Sequence, residues 1–316
     1  MREKILELLN KKDFVSGKNL AKQLNVSRTA IWKQIKILQN YGYDIESVKN
    51  RGYRLVSRPD IPRSEEISPY LNTEFIGKKI VYFEKIDSTN IYAKKLVKEG
   101  VSEGCVVVAG MQEKGRGRKD RIWSSPEGGL WFSVILYPRI PPQNAMIITM
   151  AVSVSVVEAI IKHTNLKPVI KWPNDVLVNG KKICGILTEL DAEMDWINYA
   201  VIGIGINVNN SINKELLDFA TSLKIETKKN CSKVELLTDI LNNFDKNYSY
   251  IKSGNFKFIR DVWFLYANIV GRNIRVDNEN VSLDGVVIDV DNNGCLVLDT
   301  INGIIRVICG DITFLV

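Results

Sequence analysis

Residues 16–42 read SGKNLAKQLNVSRTAIWKQIKILQNYG, and their spacing decides the fold of the first part of the chain. Leu20, Ala21 and Leu24 fall on one face of a short helix. Asn25-Val26 make a tight turn, and Ser27 is a good N-cap for a second helix with Ala30, Ile31, Ile35 and Leu38 on its apolar face. Helix, short turn, helix is the helix-turn-helix pattern. Upstream, REKILELLN (2–10) predicts another helix through Ile5, Leu6, Leu8 and Leu9. Downstream, YDIESVKNRGYRLV (43–56) predicts two short strands around Lys49-Asn50-Arg51-Gly52, a hairpin with a basic tip. Together these predict a winged helix-turn-helix. A packed three-helix unit that touches no nucleic acid is the plainer alternative, and the charge argues against it. Residues 1–60 hold thirteen Lys/Arg and six Asp/Glu, so the whole +7 of the chain sits there and the remainder is neutral. The candidate DNA-contacting residues are Lys18, Ser27, Arg28, Thr29, Trp32, Lys33, Lys36, Lys49 and Arg51. Arg28, at the start of the second helix, is placed for a base contact; Lys33 and Arg51 are placed for phosphates.

The 316 residues suffice for two or three domains, and 45% hydrophobic with 25% charged content is ordinary for globular protein. No apolar run is expected to reach the ~18 residues of a membrane span, and MREKILELLN lacks a signal-peptide apolar block. The five cysteines (Cys105, Cys184, Cys231, Cys295 and Cys309) form no CxxC pair, and His163 is the single histidine. A zinc site and Cys/His or Ser/His catalysis are therefore set aside, and a reduced cytoplasmic protein is expected. SRPDIPRS (57–64) has two prolines and reads as a linker. From 80 to 210, strand-like runs (IVYFEKI, GCVVVAG, GLWFSVILY, VIKWP, KKICGILTEL, NYAVIGIGINV) are interrupted by helical stretches at 88–99 and 143–164. This predicts an α+β body on a mixed, largely antiparallel sheet. Residues 232–268 read as helical. Strands near 273–276, 283–291, 294–299 and 303–308, with turns at Asn292-Asn293-Gly294 and Asn302-Gly303, predict a small SH3-like β barrel. The expected domains are 1–60, 61–268 and 269–316.

Four segments place unusual polar groups at strand ends or in loops. Asp87-Ser88-Thr89-Asn90 opens a helix, which a plain N-cap box would also explain. KGRGRKDRIW (114–123), preceded by Gln112, carries five cations on a segment too Gly-rich to be a good helix. A solvated surface loop is the ordinary reading; an anion clamp is the sharper one, since glycine lets backbone approach a ligand and guanidinium groups neutralise phosphates. KWPNDVLVNGKKICG (171–185) is a hairpin with charged edges, and GIGIN (203–207) is a strand in which glycine more often marks a bulge or close packing than a ligand. No GxxxxGK[ST] occurs, so a P-loop is not the cradle for any nucleotide.

The order of these motifs is specific. The winged helix-turn-helix, DSTN, Q-x-x-GRGR-x-x-R-x-W, KWPND, the following K-x-x-G, GIGIN and the small β domain resemble the bifunctional class of bacterial biotin–protein ligases, which also repress biotin genes. Lipoyl-attaching enzymes share the central fold but lack this GRGR and KWPND combination. The resemblance implies a central fold of the class II aminoacyl-tRNA synthetase/biotin ligase kind. It also implies a two-step reaction: biotin and ATP give biotinoyl-5'-adenylate, and a lysine of a biotin carboxyl carrier domain then attacks the mixed anhydride. It implies biotin contacts from Ser88, Thr89, Asn90, Gln112, Gly115, Arg116, Gly117, Arg118, Lys182 and Gly185, with Lys182, Arg116 and Arg118 as the catalytic cations. ATP or adenylate contacts would come from Arg118, Arg121, Trp123, Lys171, Asn174 and Asn207, and a Mg²⁺ contact from Asp175. The implied partners are operator DNA, the carrier domain of a carboxylase, and a second copy of the chain when biotinoyl-adenylate is bound; no membrane is implied. One departure stands out: Lys119-Asp120 occupies the place of the family's usual third loop glycine. The rival readings are a ligase whose basic module no longer binds DNA, and a ligand-sensing transcription factor without catalysis.

Overall fold

The computed structural model describes residues 1–10, 13–278 and 281–315. The chain divides into two compact units, Met1–Tyr70 and Leu71–Val316.

The first unit holds helices α1 (Arg2–Leu9), α2 (Gly17–Leu24) and α3 (Arg28–Asn40), the hairpin β1 (Asp44–Val48) and β2 (Gly52–Ser57), and the short α4 (Ser64–Ile67). Ser16 and Ser27 cap α2 and α3, each hydroxyl accepting a backbone N–H three residues on, at 3.1 Å. Asn25 ends α2 in the left-handed conformation (φ 52°), which turns the chain into α3. The apolar faces read from the sequence meet in one core of Ile5, Leu6, Leu9, Leu20, Ile31, Ile35 and Leu38, extended by Tyr43 and Ile45. The segment expected to be a linker is built into this unit. Glu66 accepts from the Tyr43 hydroxyl and pairs with Arg58, both at 2.7 Å. Glu65 pairs with Arg2 at 2.7 Å. Both carboxylates are buried, so each has found the partner that burial demands.

The second unit begins with β3 (Ile80–Ile86), α5 (Thr89–Lys98), β4 (Val106–Gln112), β5 (Leu130–Leu136), α6 (Ala145–His163), β6 (Val169–Lys171), β7 (Asp175–Val178), β8 (Lys181–Ala192) and β9 (Ile197–Ile206). The seven strands form one sheet in the order β3-β4-β5-β9-β8-β7-β6. Only β3 and β4 run parallel; the other pairs are antiparallel. β5 is buried along its whole length, hence a run that is apolar except for Ser133. α7 (Leu223–Thr227), α8 (Lys233–Lys252) and α9 (Phe256–Ala267) follow. The single helical stretch expected at 232–268 is thus two helices, broken at Ser253-Gly254-Asn255, where Gly254 has φ 75°. The expectation of no span-length apolar run also needs correction: the helix at Pro142–His163 contains an 18-residue window of mean hydropathy 1.9. That window is 78% buried, and α6 packs against α8, α9 and β8 as the central core helix.

The last strands, β10 (Asn273–Asn278), β11 (Val281–Val290), β12 (Leu296–Thr300), β13 (Gly303–Val307) and β14 (Asp311–Phe314), form a five-stranded antiparallel sheet in the order β13-β12-β11-β10-β14. β14, four residues after a Cys-Gly break, is too short for its pattern to register in the sequence. Among the described residues β13 and β14 form no ladder with each other, so the sheet is barrel-like in composition but open.

Candidate active site

The four motif segments converge on one cavity of about 470 Å³ in the second unit. β3 and β4 run parallel, so the start of α5 and the end of β4 lie side by side. This joins DSTN to Gln112: its Oε1 accepts from Thr89 N at 2.8 Å and from Thr89 Oγ1 at 3.0 Å. Its Nε2 donates to Ser125 Oγ at 2.9 Å. Ser133, from β5, sits 2.7 Å from Thr89 Oγ1 and 2.6 Å from Asn90 Oδ1. Ser88 caps α5 by position, yet its buried hydroxyl makes no capping bond and lines the cavity. The plain N-cap explanation of DSTN therefore fails. Asn90 Nδ2 donates to Glu189 Oε2 at 2.8 Å, and Lys94 pairs with Glu189 at 2.6 Å. Burial alone would raise the Glu189 carboxyl, but the bonds from Lys94 and Asn90 outweigh it and hold it below the usual carboxylate range.

The glycines of GIGIN explain themselves by contact. A Cβ on Gly203 would stand 2.3 Å from Asn90 Oδ1, and one on Gly205 would stand 2.3 Å from Trp123 Nε1. Trp123 thus packs closely on β9, its Nε1 buried without a hydrogen-bond partner. Gly185 of β8 abuts the same indole. Close packing is what these glycines serve, and the packing sets the cavity wall.

The cationic loop lines the same cavity through Arg116, Gly117, Arg118 and Arg121. Arg118 Nη1 donates to Asn174 Oδ1 at 3.0 Å, and Asn174 is fixed in turn by bonds to and from the Ile186 backbone at 2.8 and 2.9 Å. Lys119 and Asp120 both take left-handed backbone, with φ 53° and 54°, in the place usually served by glycine. Asp120 reaches back to Arg116 at 3.1 Å. Lys182 Nζ lies 2.6 Å from Asp175 Oδ1 and 5.1 Å from the centre of the Trp123 ring. Four cations (Arg116, Arg118, Arg121 and Lys182) and two carboxylates (Asp175 and Asp311) line the cavity, leaving +2 for a bound anion. Asn207 is buried at the far side, accepting from Asn210 Nδ2 at 3.0 Å. Gly115 and Lys171 lie outside the lining; Gly115 packs against Trp123 O and Ser125, and Lys171 ends β6 opposite Asp175.

Three features escaped the sequence reading. Asp311, at the start of β14, pairs with Arg121 at 2.7 Å, Arg118 at 3.5 Å and Lys119 at 3.6 Å. Burial would raise its pKa, but Arg121 first, then Arg118 and Lys119, hold the carboxyl below the ordinary range. The segment 210–220 forms an apolar rim through Ile212, Leu216 and Phe219. It is tied to β8 because Lys182 N donates to Phe219 O at 2.8 Å and Lys182 O accepts from Thr221 N at 3.0 Å. Glu189 is the third. His163 takes no part: it pairs with Asp239 at 2.6 Å between α6 and α8.

For magnesium, the fit is partial. Asp175 Oδ1 is buried and, despite the close Lys182 charge, accepts no directed hydrogen bond. Among the described residues no cluster of three His, Cys, Asp or Glu could hold a metal. A Mg²⁺ here would take most of its ligands from phosphates, as magnesium at nucleotide sites does.

In the first unit, Lys18, Arg28, Thr29, Trp32, Lys33, Lys36, Lys49 and Arg51 are all exposed, whereas the Ser27 hydroxyl is engaged as a cap. Arg51 and Arg54 both stack on Phe14, at 4.3 and 4.9 Å, which steadies the basic hairpin.

Comparison with known proteins agrees with this geometry. Residues 82–207 match the biotin/lipoate A/B protein ligase family, and residues 1–54 match a helix-turn-helix (HTH) domain. The bifunctional ligase/repressor BirA of Bacillus subtilis is 39% identical over 99% of this chain and 98% of its own. The chain belongs to the biotin/lipoate A/B protein ligase family. BirA of Escherichia coli is 27% identical over 96% of this chain and 93% of its own. Among solved structures, the family's biotin protein ligase from Aquifex aeolicus, in complex with biotin and ATP, matches with a TM-score of 0.66 and 31% identity. That match covers 75% of this chain and 99% of the Aquifex chain.

Proposed function

We propose that the chain joins biotin to ATP, giving biotinoyl-5'-adenylate and pyrophosphate, and passes the biotinyl group to a lysine of a biotin carboxyl carrier domain. Its N-terminal unit represses transcription in response to biotin. It is a bifunctional ligase and repressor.

The observation that carries the enzymatic half is the meeting of four cations with an apolar, hydrogen-bonding pocket in a single cavity. Biotin has an apolar bicycle and chain with polar ends. Phe132, Ile186 and Ile204 offer the apolar wall, and Ser88, Thr89 and Gln112 offer partners for the ureido group. Lys182 and Arg116 hold the carboxylate against the α-phosphate, so that a carboxylate oxygen attacks phosphorus and pyrophosphate leaves. Both stabilise the negative charge that builds up there. Arg118 and Arg121 extend the cationic field over the triphosphate, Trp123 presents a face to the adenine, and Asn174 and Asn207 orient the nucleotide. Asp175 would help to hold a Mg²⁺ bound mainly by the triphosphate, and the ion would offset phosphate charge there. In the second step the acceptor amine attacks the acyl carbon and AMP departs, with no covalent enzyme intermediate. The five free thiols suit a reducing, cytoplasmic setting. A second copy of the chain joins when the adenylate is bound.

Biotin-dependent release of pyrophosphate from ATP tests this reading. Wild-type protein should release it and Arg118→Ala should release little. Biotin binding without any pyrophosphate would make the chain a sensor rather than a ligase.

A further inference from the structure

The exposed face of α3 carries one apolar group among its charges. Trp32 is 51% exposed, while Ile31, Ile35 and Leu38 of the same helix are buried. It lies one helical turn after Arg28 and one before Lys36, so the three form a single ridge with the indole at its centre. The ring enters no hydrogen bond and has no cation stacked on it among the described residues. Neither the core of the unit nor the neighbouring charges make use of it, although removing such a ring from water is favourable.

DNA offers such a ring one sequence-specific apolar partner. Phosphates attract the cations and carry no sequence information. In the major groove, which admits a helix, thymine alone presents a methyl group, beside its O4 acceptor. A guanidinium or ammonium gains nothing from that methyl; an indole does. We infer that Trp32 reads a thymine C5-methyl in the major groove, and so determines which sites the module selects. The inference rests on the DNA-binding reading of the first unit.

The test removes the methyl and nothing else. Full-length protein with ATP, Mg²⁺ and biotin selects DNA from a random-sequence pool, and each thymine of the selected site is replaced singly by deoxyuridine. Wild-type affinity should fall about fourfold at one thymine in each half-site, the effect of withdrawing one methyl-sized group from an apolar contact. Trp32→Ala, an exposed change that leaves the core intact, should bind thymine DNA more weakly and be indifferent to deoxyuridine at that position. Arg28→Ala should keep the methyl effect. Insensitivity of the wild type at every thymine, or a full methyl effect in Trp32→Ala, would overturn the inference. Failure of the wild type to enrich any sequence would overturn the DNA-binding reading, and the inference with it.

Discussion

Lys182 sits where its backbone is bound on both sides to the rim segment and its ammonium is bound to Asp175. Removing the side chain leaves those backbone bonds intact, so Lys182→Ala should fold. It should also lose adenylation by a factor of a hundred or more, since one donor aimed at developing charge is worth about 3 kcal/mol. Biotinoyl-adenylate formation at near wild-type rate by the folded variant would remove Lys182 from the chemistry. Asp311 makes a different prediction. Its pKa is depressed in the folded protein, so its stabilising contribution is present above the unfolded-state value and disappears as pH falls through the lower native one. At neutral pH, Asp311→Asn should therefore free the cationic loop, at a stability cost of no more than about 1 kcal/mol because the pairs are partly exposed. In strong acid it should behave like wild type, and thermal melts across pH read the difference. Ser88, Thr89, Asn90, Arg116, Arg118, Asn174 and Asp175 line the cavity and were legible as candidates because each motif is contiguous. Asp311 was not: it lies 190 residues from Arg121, and nothing local marks it.

Among the elements, β9 was read as a strand and its glycines as bulge or close-packing positions, but what they pack against was not legible, because Asn90 and Trp123 lie on other segments. Gly205→Ala should push Trp123 out of its place and weaken adenylate formation at least tenfold, for about 1–3 kcal/mol of overpacking. A melt and a pyrophosphate assay together measure both effects. The cationic loop was legible as a concentration of charge; its left-handed Lys119-Asp120 and its Asp311 tie were not. With two glycines adding freedom and its cations tied by partly exposed pairs to Asp120 and Asp311, the loop should become more ordered when biotin and ATP bind. Trypsin cleavage between Arg116 and Arg121 should then slow; equal rates with and without ligand would count against it. The helical break at 253–255 is carried by one left-handed glycine and the Asn255 cap, too little to interrupt the apolar periodicity, and β14 is too short to show any.

At the scale of the whole molecule, the charge asymmetry was plain from composition, and the division into a basic unit and a near-neutral one follows it. What composition could not give is where the basic unit ends. Glu65 and Glu66 are buried in it through pairs with Arg2 and Arg58, so the chain is better divided after Tyr70 than within the proline segment. Residues 71–316 should keep ligation at saturating biotin and ATP and lose DNA binding; an inactive but folded fragment would show that the units are coupled. Within the intact protein, Lys33→Ala and Arg51→Ala should weaken binding to all DNA and flatten its salt dependence by about one unit each, while Arg28→Ala should act mainly on the specific site. The central claim is the transfer itself. Incubation of the full-length protein with ATP, Mg²⁺, biotin and a biotin carboxyl carrier domain, followed by intact mass of that domain, tests it most directly. A gain of one biotinyl group, absent without ATP and absent with Lys182→Ala, is the predicted result; an acceptor of unchanged mass in the presence of folded wild-type protein would contradict it.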